Sequence, residues 1–291
     1  MGAKDKSTKY LEAYNDVFAD IFNVLVFESI YVDEHNLTDG ATETQYKTET
    51  ETLQSQYRDC LKQYMDANMI CVSMGIENQT TVDQTMPVRI MGYDYGRYAL
   101  QLQNGDKISP VISLILYFGE EEWTTPLSLI DMMEDIPTPV REHLIDYPIH
   151  VVNIKHLPKS VRKQFKSDFG VVADYFAEKD SEDFIPSNKE LKHGEAVMHM
   201  LKVFTGDDRY DSLIGMVKAD IEKGKVITMC SYLDKLENRG MEKGLEVGLK
   251  SLIHTLKTML LDVDEIYEKI MMNQVYQHYT KEDVLRMYME E

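Results

Sequence analysis

The chain has 291 residues, 43% of them hydrophobic, and a formal net charge of −19. That hydrophobic share is enough for a sizeable core and excludes wholesale disorder. No apolar run approaches the roughly eighteen residues of a membrane span, and the polar, charged stretch Met1–Tyr10 shows no secretory signal pattern. The three cysteines, Cys60, Cys71 and Cys230, form no C-x-x-C pair. They fit buried thiols in a reducing compartment better than disulfides or zinc, so a cytoplasmic protein without a membrane partner is expected. The acid excess alone argues against nucleic acid, because phosphate binding rests on Lys and Arg. Any nucleic-acid function therefore requires a local basic surface; solubility is the plainer meaning of the charge.

Residues 7–31 are predicted to form the first helix. Leu11, Tyr14, Val17, Phe18, Ile21, Phe22, Leu25 and Val26 recur at spacings of three and four, with Ser7 as a cap. Asp16 and Asp20 lie one turn apart at the edge of this stripe, where a solvated helix edge explains them without a function. Asp33–Leu53 is polar, has Asp39-Gly40 as a turn signal, and reads as a loop. Asp59 precedes a segment, Leu61–Met65, that reads as strand or helix, and Asp66-Ala67-Asn68 supplies a turn. Met69–Ile76 is an apolar run of strand length. It ends in Glu77 and Gln79, which the alternation of a strand points to one side.

Asp83, Met86, Arg89 and Tyr93 then follow at spacings of three, three and four, one face of a helix that tolerates Pro87 in its first turn. Arg97 lies two turns beyond Arg89. Ile108–Phe118 reads as a central strand with Pro110 at its start. A loop-rich connection, Trp123–Pro148, leads to a short strand, Ile149–Ile154. Strands and helices alternate up to this point, so the class is α/β around a small mixed sheet. Lys155–Asp168 is the basic stretch: Lys159, Arg162, Lys163 and Lys166 project on one helical face, either solvated or phosphate-binding. A charged linker, Glu178–Asp183, separates residues 1–180 from a helical region, 181–291, with helices over 187–205, 207–221, 226–272 and 281–289. Gly240, Gly244 and Gly248 form a stripe in the third of these. Each costs about 1 kcal/mol in a helix against Ala. Close helix approach, within the chain or between two copies through residues 226–272, would compensate; a hinge is the other explanation.

The ordered set Glu77-x-Gln79, Asp83, Met86, Arg89 and Tyr93 resembles the YhgA-like putative transposases, recombination-promoting nucleases of the PD-(D/E)XK superfamily. Asn78 and Thr80 stand where that pattern has H and S. Pro110–Gly119 followed by Trp123, Pro126 and Leu129 is similar to a second block, with Phe118 in place of a His. The resemblance implies a PD-(D/E)XK-like core over residues 1–180 followed by helices. It also implies a Mg²⁺- or Mn²⁺-dependent DNA endonuclease, a phosphodiester hydrolase tied by the family name to recombination or transposition. Asp59 and Glu77 would be metal ligands and, with Gln79, catalytic residues. Gln79 takes the place of the superfamily's usual Lys, and some members place an additional acid on the first helix. Arg89, Arg97, Lys159, Arg162, Lys163 and Lys166 are the candidate DNA contacts, although Arg89 serves equally as a salt-bridge partner of Glu77 or Asp83. The competing expectation, supported by the charge and the neutral Gln79, is a non-enzymatic oligomerising interaction protein on a decayed nuclease fold.

Overall fold

The computed structural model describes residues 11–41, 43–47, 53–57, 59–66 and 69–290. The chain divides into two compact units, Met1–Met229 and Cys230–Glu291. The division falls later than the expected boundary at 180.

The first unit is built on a five-stranded mixed sheet of β1 (Leu37–Asp39), β4 (Cys60–Asp66), β5 (Met69–Gln79), β6 (Val111–Tyr117) and β7 (His150–Asn153), in that order. β1, β4 and β5 are antiparallel neighbours, whereas β5, β6 and β7 run parallel. Two further strands, β2 (Glu43–Lys47) and β3 (Leu53–Tyr57), form a separate antiparallel pair. The α/β class expected from the sequence is thus observed. The expected loop over 33–53 is corrected: it contains β1 and β2 and reaches the start of β3. Their Thr, Glu and Gln residues give no hydrophobic alternation, so the ladder forms without the signal on which strand prediction depends. Leu61–Met65 is strand, settling the choice left open by its sequence.

The first helix is shorter than predicted. A 3-10 turn, Leu11–Ala13, leads into α1 (Asn15–Leu25), and Glu28 then adopts a positive φ of 49°. Its stripe is buried as expected, through Leu11, Val17, Phe18, Ile21 and Phe22, while Ser7 lies outside the described residues. α2 (Met86–Gln103) crosses the opposite face. Met86 and Ile90 on it pack with Ile115 and Ile149, and Trp123 and Tyr93 join at the edge. After a one-turn α3 (Thr138–Arg141) comes β7, then a one-turn α4 (Lys159–Arg162) and α5 (Phe169–Glu178). α6 (Gly194–Thr205) and α7 (Arg209–Glu222) complete the unit. Phe118, at the end of β6, stacks on Phe204 of α6 at 4.2 Å and meets Phe176 of α5 edge-on at 5.1 Å, tying the sheet to these helices.

The helix expected over 226–272 is two helices, α8 (Met229–Thr258) and α9 (Val263–Met271). Leu260 takes a positive φ of 62°, and Asp262 forms a capping box with Glu265 that starts α9 afresh. With α10 (Lys281–Glu290) these helices enclose a core of Leu249, Ile253, Ile266, Ile270, Val284 and Met287. A Cβ built on Gly240 or Gly244 would meet nothing within 4 Å, whereas one on Gly248 would meet the Tyr276 hydroxyl at 3.0 Å.

Candidate functional site

The polar end of β5 is where the elements converge. The pairing of Cys60 with Ile76 carries the ladder to its edge, so Asp59 enters β4 opposite Glu77. Asp59 Oδ2 accepts from the Asn78 amide N–H at 2.9 Å, which ties the two strand ends together. Glu77 and Gln79 share a side, as alternation requires, and the Gln79 carboxamide donates to Glu77 Oε1 at 3.2 Å.

That side faces α2. Glu77 is buried, and its Oε1 also accepts from Arg89 Nη2 at 2.6 Å. Arg89 Nη1 donates to Asp83 Oδ2 at 2.6 Å, and Nη2 to the Tyr93 hydroxyl at 3.2 Å. Asp83 is itself fixed in the turn before α2, where its Oδ1 accepts from the Thr85 amide and hydroxyl. Burial opposes ionisation of Asp83, but the hydrogen bonds from Thr85 and Arg89 outweigh it and hold its pKa below the usual value. Burial likewise opposes the charge on Arg89; bonds to Tyr93 and Asp83 and the charge of Glu77 outweigh it and raise its pKa. The salt bridge weighed for Arg89 in the sequence is therefore the arrangement observed.

Glu12, not singled out in the sequence, lies against the other side. It has no exposed surface, and neither carboxylate oxygen has a hydrogen-bond partner among the described residues. Burial is the main cause of a pKa raised from 4.5 to about 7; its own backbone eases ionisation, the charge of Asp59 opposes it, and nearby Asn78 eases it in part. Asn78 Oδ1 is also buried without a hydrogen-bond partner among the described residues. The amide of Asn78 is thus close enough to act on Glu12 without a well-formed hydrogen bond to it. The sign of Glu12 in the sequence is slight: an acid beside Leu11 at the start of the apolar stripe, indistinguishable there from a polar residue at the edge of a helix.

The predicted positions of extra helix acid, Asp16 and Asp20, have other partners. Asp16 binds Lys192 at 2.7 Å and His193 Nε2 at 2.9 Å, and Asp20 accepts from the backbone amides of Lys166 and Ser167. Among the described residues, no group of three or more His, Cys, Asp or Glu is placed to hold a metal ion.

The basic candidates do not form one surface. Arg97 is buried and donates from Nε to Ser73 Oγ at 3.2 Å. Arg162 is buried too, donating to Asp174 at 2.7 Å, to Leu157 O at 2.7 Å and to Glu178. α4 is a single turn, so Lys159, Arg162, Lys163 and Lys166 cannot line a continuous helical face. Lys159, Lys163 and Lys166 remain exposed, with Lys159 3.5 Å from Glu178. Lys163 and Lys166 border an open groove of about 850 Å³, but Asp16, Asp20, Glu28, Asp33 and Glu34 line the same groove. With Lys192 also in its lining, five carboxylates face three lysines, and the net acidic groove disfavours phosphate.

The first unit is thus an α/β domain with an acid-and-amide cluster at the end of a central strand, and a separate helical unit follows it. Residues 42–177 match the family described as putative transposase, YhgA-like. No curated protein and no solved structure matches the chain. No helix among the described residues is long and apolar enough to cross a membrane.

Proposed function

We propose that the protein is a divalent-cation-dependent DNA endonuclease of the PD-(D/E)XK kind, with Asp59 and Glu77 as cation ligands. The observation that carries the reading is the acid pair at the strand ends: Asp59 enters β4 opposite Glu77, and its Oδ2 accepts from the Asn78 amide N–H at 2.9 Å. The donors are all oxygen, which suits Mg²⁺ or Mn²⁺ rather than softer metals. A bound Mg²⁺ would polarise a phosphoryl oxygen and lower the pKa of a coordinated water.

The chain's own residues account for the rest. Asp59, held by the Asn78 amide, keeps its second oxygen oriented by the strand end. Gln79 is neutral at all relevant pH values, so it can position a water but cannot act as a proton donor. The exposed Lys159, Lys163 and Lys166 are the DNA contacts of this proposal; Arg97 and Arg162, being buried with partners, support the fold instead. Self-association through residues 226–272 belongs to the same proposal, since Gly240 and Gly244 offer a helix face without side chains. A nuclease cutting both strands gains from a two-fold dimer.

The test is nicking of supercoiled plasmid in Mg²⁺ or Mn²⁺, wild type beside Asp59→Ala and Glu77→Gln. Metal-dependent nicking that both variants lose supports the enzyme. Equal nicking by all three, or none by wild type, favours the second reading, a non-enzymatic interaction protein. One observation favours that reading: Glu77 is already neutralised by Arg89.

A further inference from the structure

A phosphodiester approaching Asp59 and Glu77 meets like charge. Its hydrolysis adds negative charge to the non-bridging oxygens, so a fixed positive group must reach them. Gln79 has none to give. Arg89 stands at the same oxygen: Glu77 Oε1 accepts from Arg89 Nη2 at 2.6 Å and from Gln79 Nε2 at 3.2 Å. A guanidinium carries five N–H donors in a rigid fork. Asp83, Glu77 and Tyr93 take three of them. The Nε–H and the second Nη1–H make no hydrogen bond among the described residues. The side chain is 35% exposed, so a ligand can reach it. The fork is also held at both ends, by Asp83 on one nitrogen and by Tyr93 on the other, with the Tyr93 ring 5.9 Å away. Neutralising Glu77 alone would require neither clamp.

We propose that Arg89 is a catalytic residue of the nuclease site proposed above, its unused N–H groups binding the non-bridging oxygens of the scissile phosphate. Asp83 and Tyr93 are positioning residues that hold the fork in place. The inference rests on the nuclease reading. In the step, a water oxygen bonds to phosphorus and the bond from phosphorus to the leaving sugar oxygen breaks. One water proton ends on that sugar oxygen, and the other stays on the new phosphomonoester or passes to solvent. Arg89 keeps its protons throughout and contributes charge and hydrogen bonds only.

The experiment is single-turnover nicking of supercoiled plasmid by the full chain in Mn²⁺, with Arg89→Ala, Arg89→Lys, Gln79→Lys and the double variant Arg89→Ala/Gln79→Lys. Arg89→Ala is expected to slow the step by about a hundredfold or more, the usual cost of losing a charge-stabilising donor. Plasmid affinity should stay within about threefold, since the interaction acts on the transition state. Gln79→Lys in the Arg89→Ala background should recover about tenfold, because residue 79 already reaches the oxygen that Arg89 serves. A purely structural Arg89 would give no such rescue once melting temperatures match. Arg89→Lys keeps the ion pair with Glu77 but loses the fork, so it should be slowed about tenfold even if Arg89→Ala fails to fold. Wild-type rates for Arg89→Lys or Arg89→Ala, or a folded double variant with no recovery, would overturn the proposal. Failure of the underlying reading looks different: wild type and Glu77→Gln would then nick equally.

Discussion

Replacing Glu12 by glutamine should stabilise the first unit at alkaline pH and change it little in acid. Glu12 is fully buried, and its pKa rises from 4.5 in an open chain to about 7 in the fold. Between those values the folded protein holds a proton that the unfolded chain has released, so stability falls as pH rises. The gap between 4.5 and about 7 amounts to about 3 kcal/mol, absent below the lower value and complete above the upper one. Glutamine keeps the shape and never ionises, so the variant escapes this loss, and other titrating groups cancel in the comparison. Trp123 is the chain's one tryptophan and lies in the first unit, so its fluorescence reports this unit's unfolding. Urea titrations at pH 5 and pH 8 should show wild type losing about 3 kcal/mol relative to Glu12→Gln across that interval. Parallel pH profiles for the two proteins would refute the assignment of a raised pKa to Glu12.

Changing Lys159, Lys163 and Lys166 together to Gln should weaken DNA binding and flatten its log–log salt dependence, measured by fluorescence anisotropy, by about 0.9 for each phosphate no longer neutralised. Arg162→Gln should instead leave that slope alone and destabilise the fold by about 1–3 kcal/mol, because it removes the buried donor to Leu157 O, Asp174 and Glu178. Gly240→Ala and Gly244→Ala should each stabilise an isolated chain by about 1 kcal/mol, since a methyl group there meets nothing. If light scattering shows a dimer, and Leu at positions 240, 244 and 248 leaves it intact, the stripe is not its interface. Gly119→Ala should cost about 1–3 kcal/mol, because its Cβ would overlap the ring of Tyr117, which is buried edge-on against Trp123.

Much of the candidate site is legible in the sequence because it depends on short-range rules. Met69–Ile76 is apolar and strand-length, so β5 and the shared side of Glu77 and Gln79 follow from the period of two. The three-and-four spacing of Met86, Arg89 and Tyr93 fixes one face of α2 for the same kind of reason. The apolar run Ile108–Phe118 likewise marks β6. β1 and β2 escape such rules because polar strands owe their place to ladder partners outside their own segment, which no local pattern records.

The sequence alone determined the α/β class, the family pattern and the acid-amide end of β5. Tertiary structure alone decided which charges are available there. Lys159, Arg162, Lys163 and Lys166 look equivalent as a run of basic residues. Only the fold buries Arg162 between Asp174 and Glu178 and leaves the three lysines exposed. Arg97 and Arg89 lie on one helix, yet Arg97 is turned against Ser73 while Arg89 reaches Glu77. Glu12, one acid among fifty acidic residues, becomes a fully buried carboxylate with no hydrogen-bond partner among the described residues. Charge is a property of a residue, but solvation and partners are properties of the space around it, and that space is made by segments that the chain brings together only on folding.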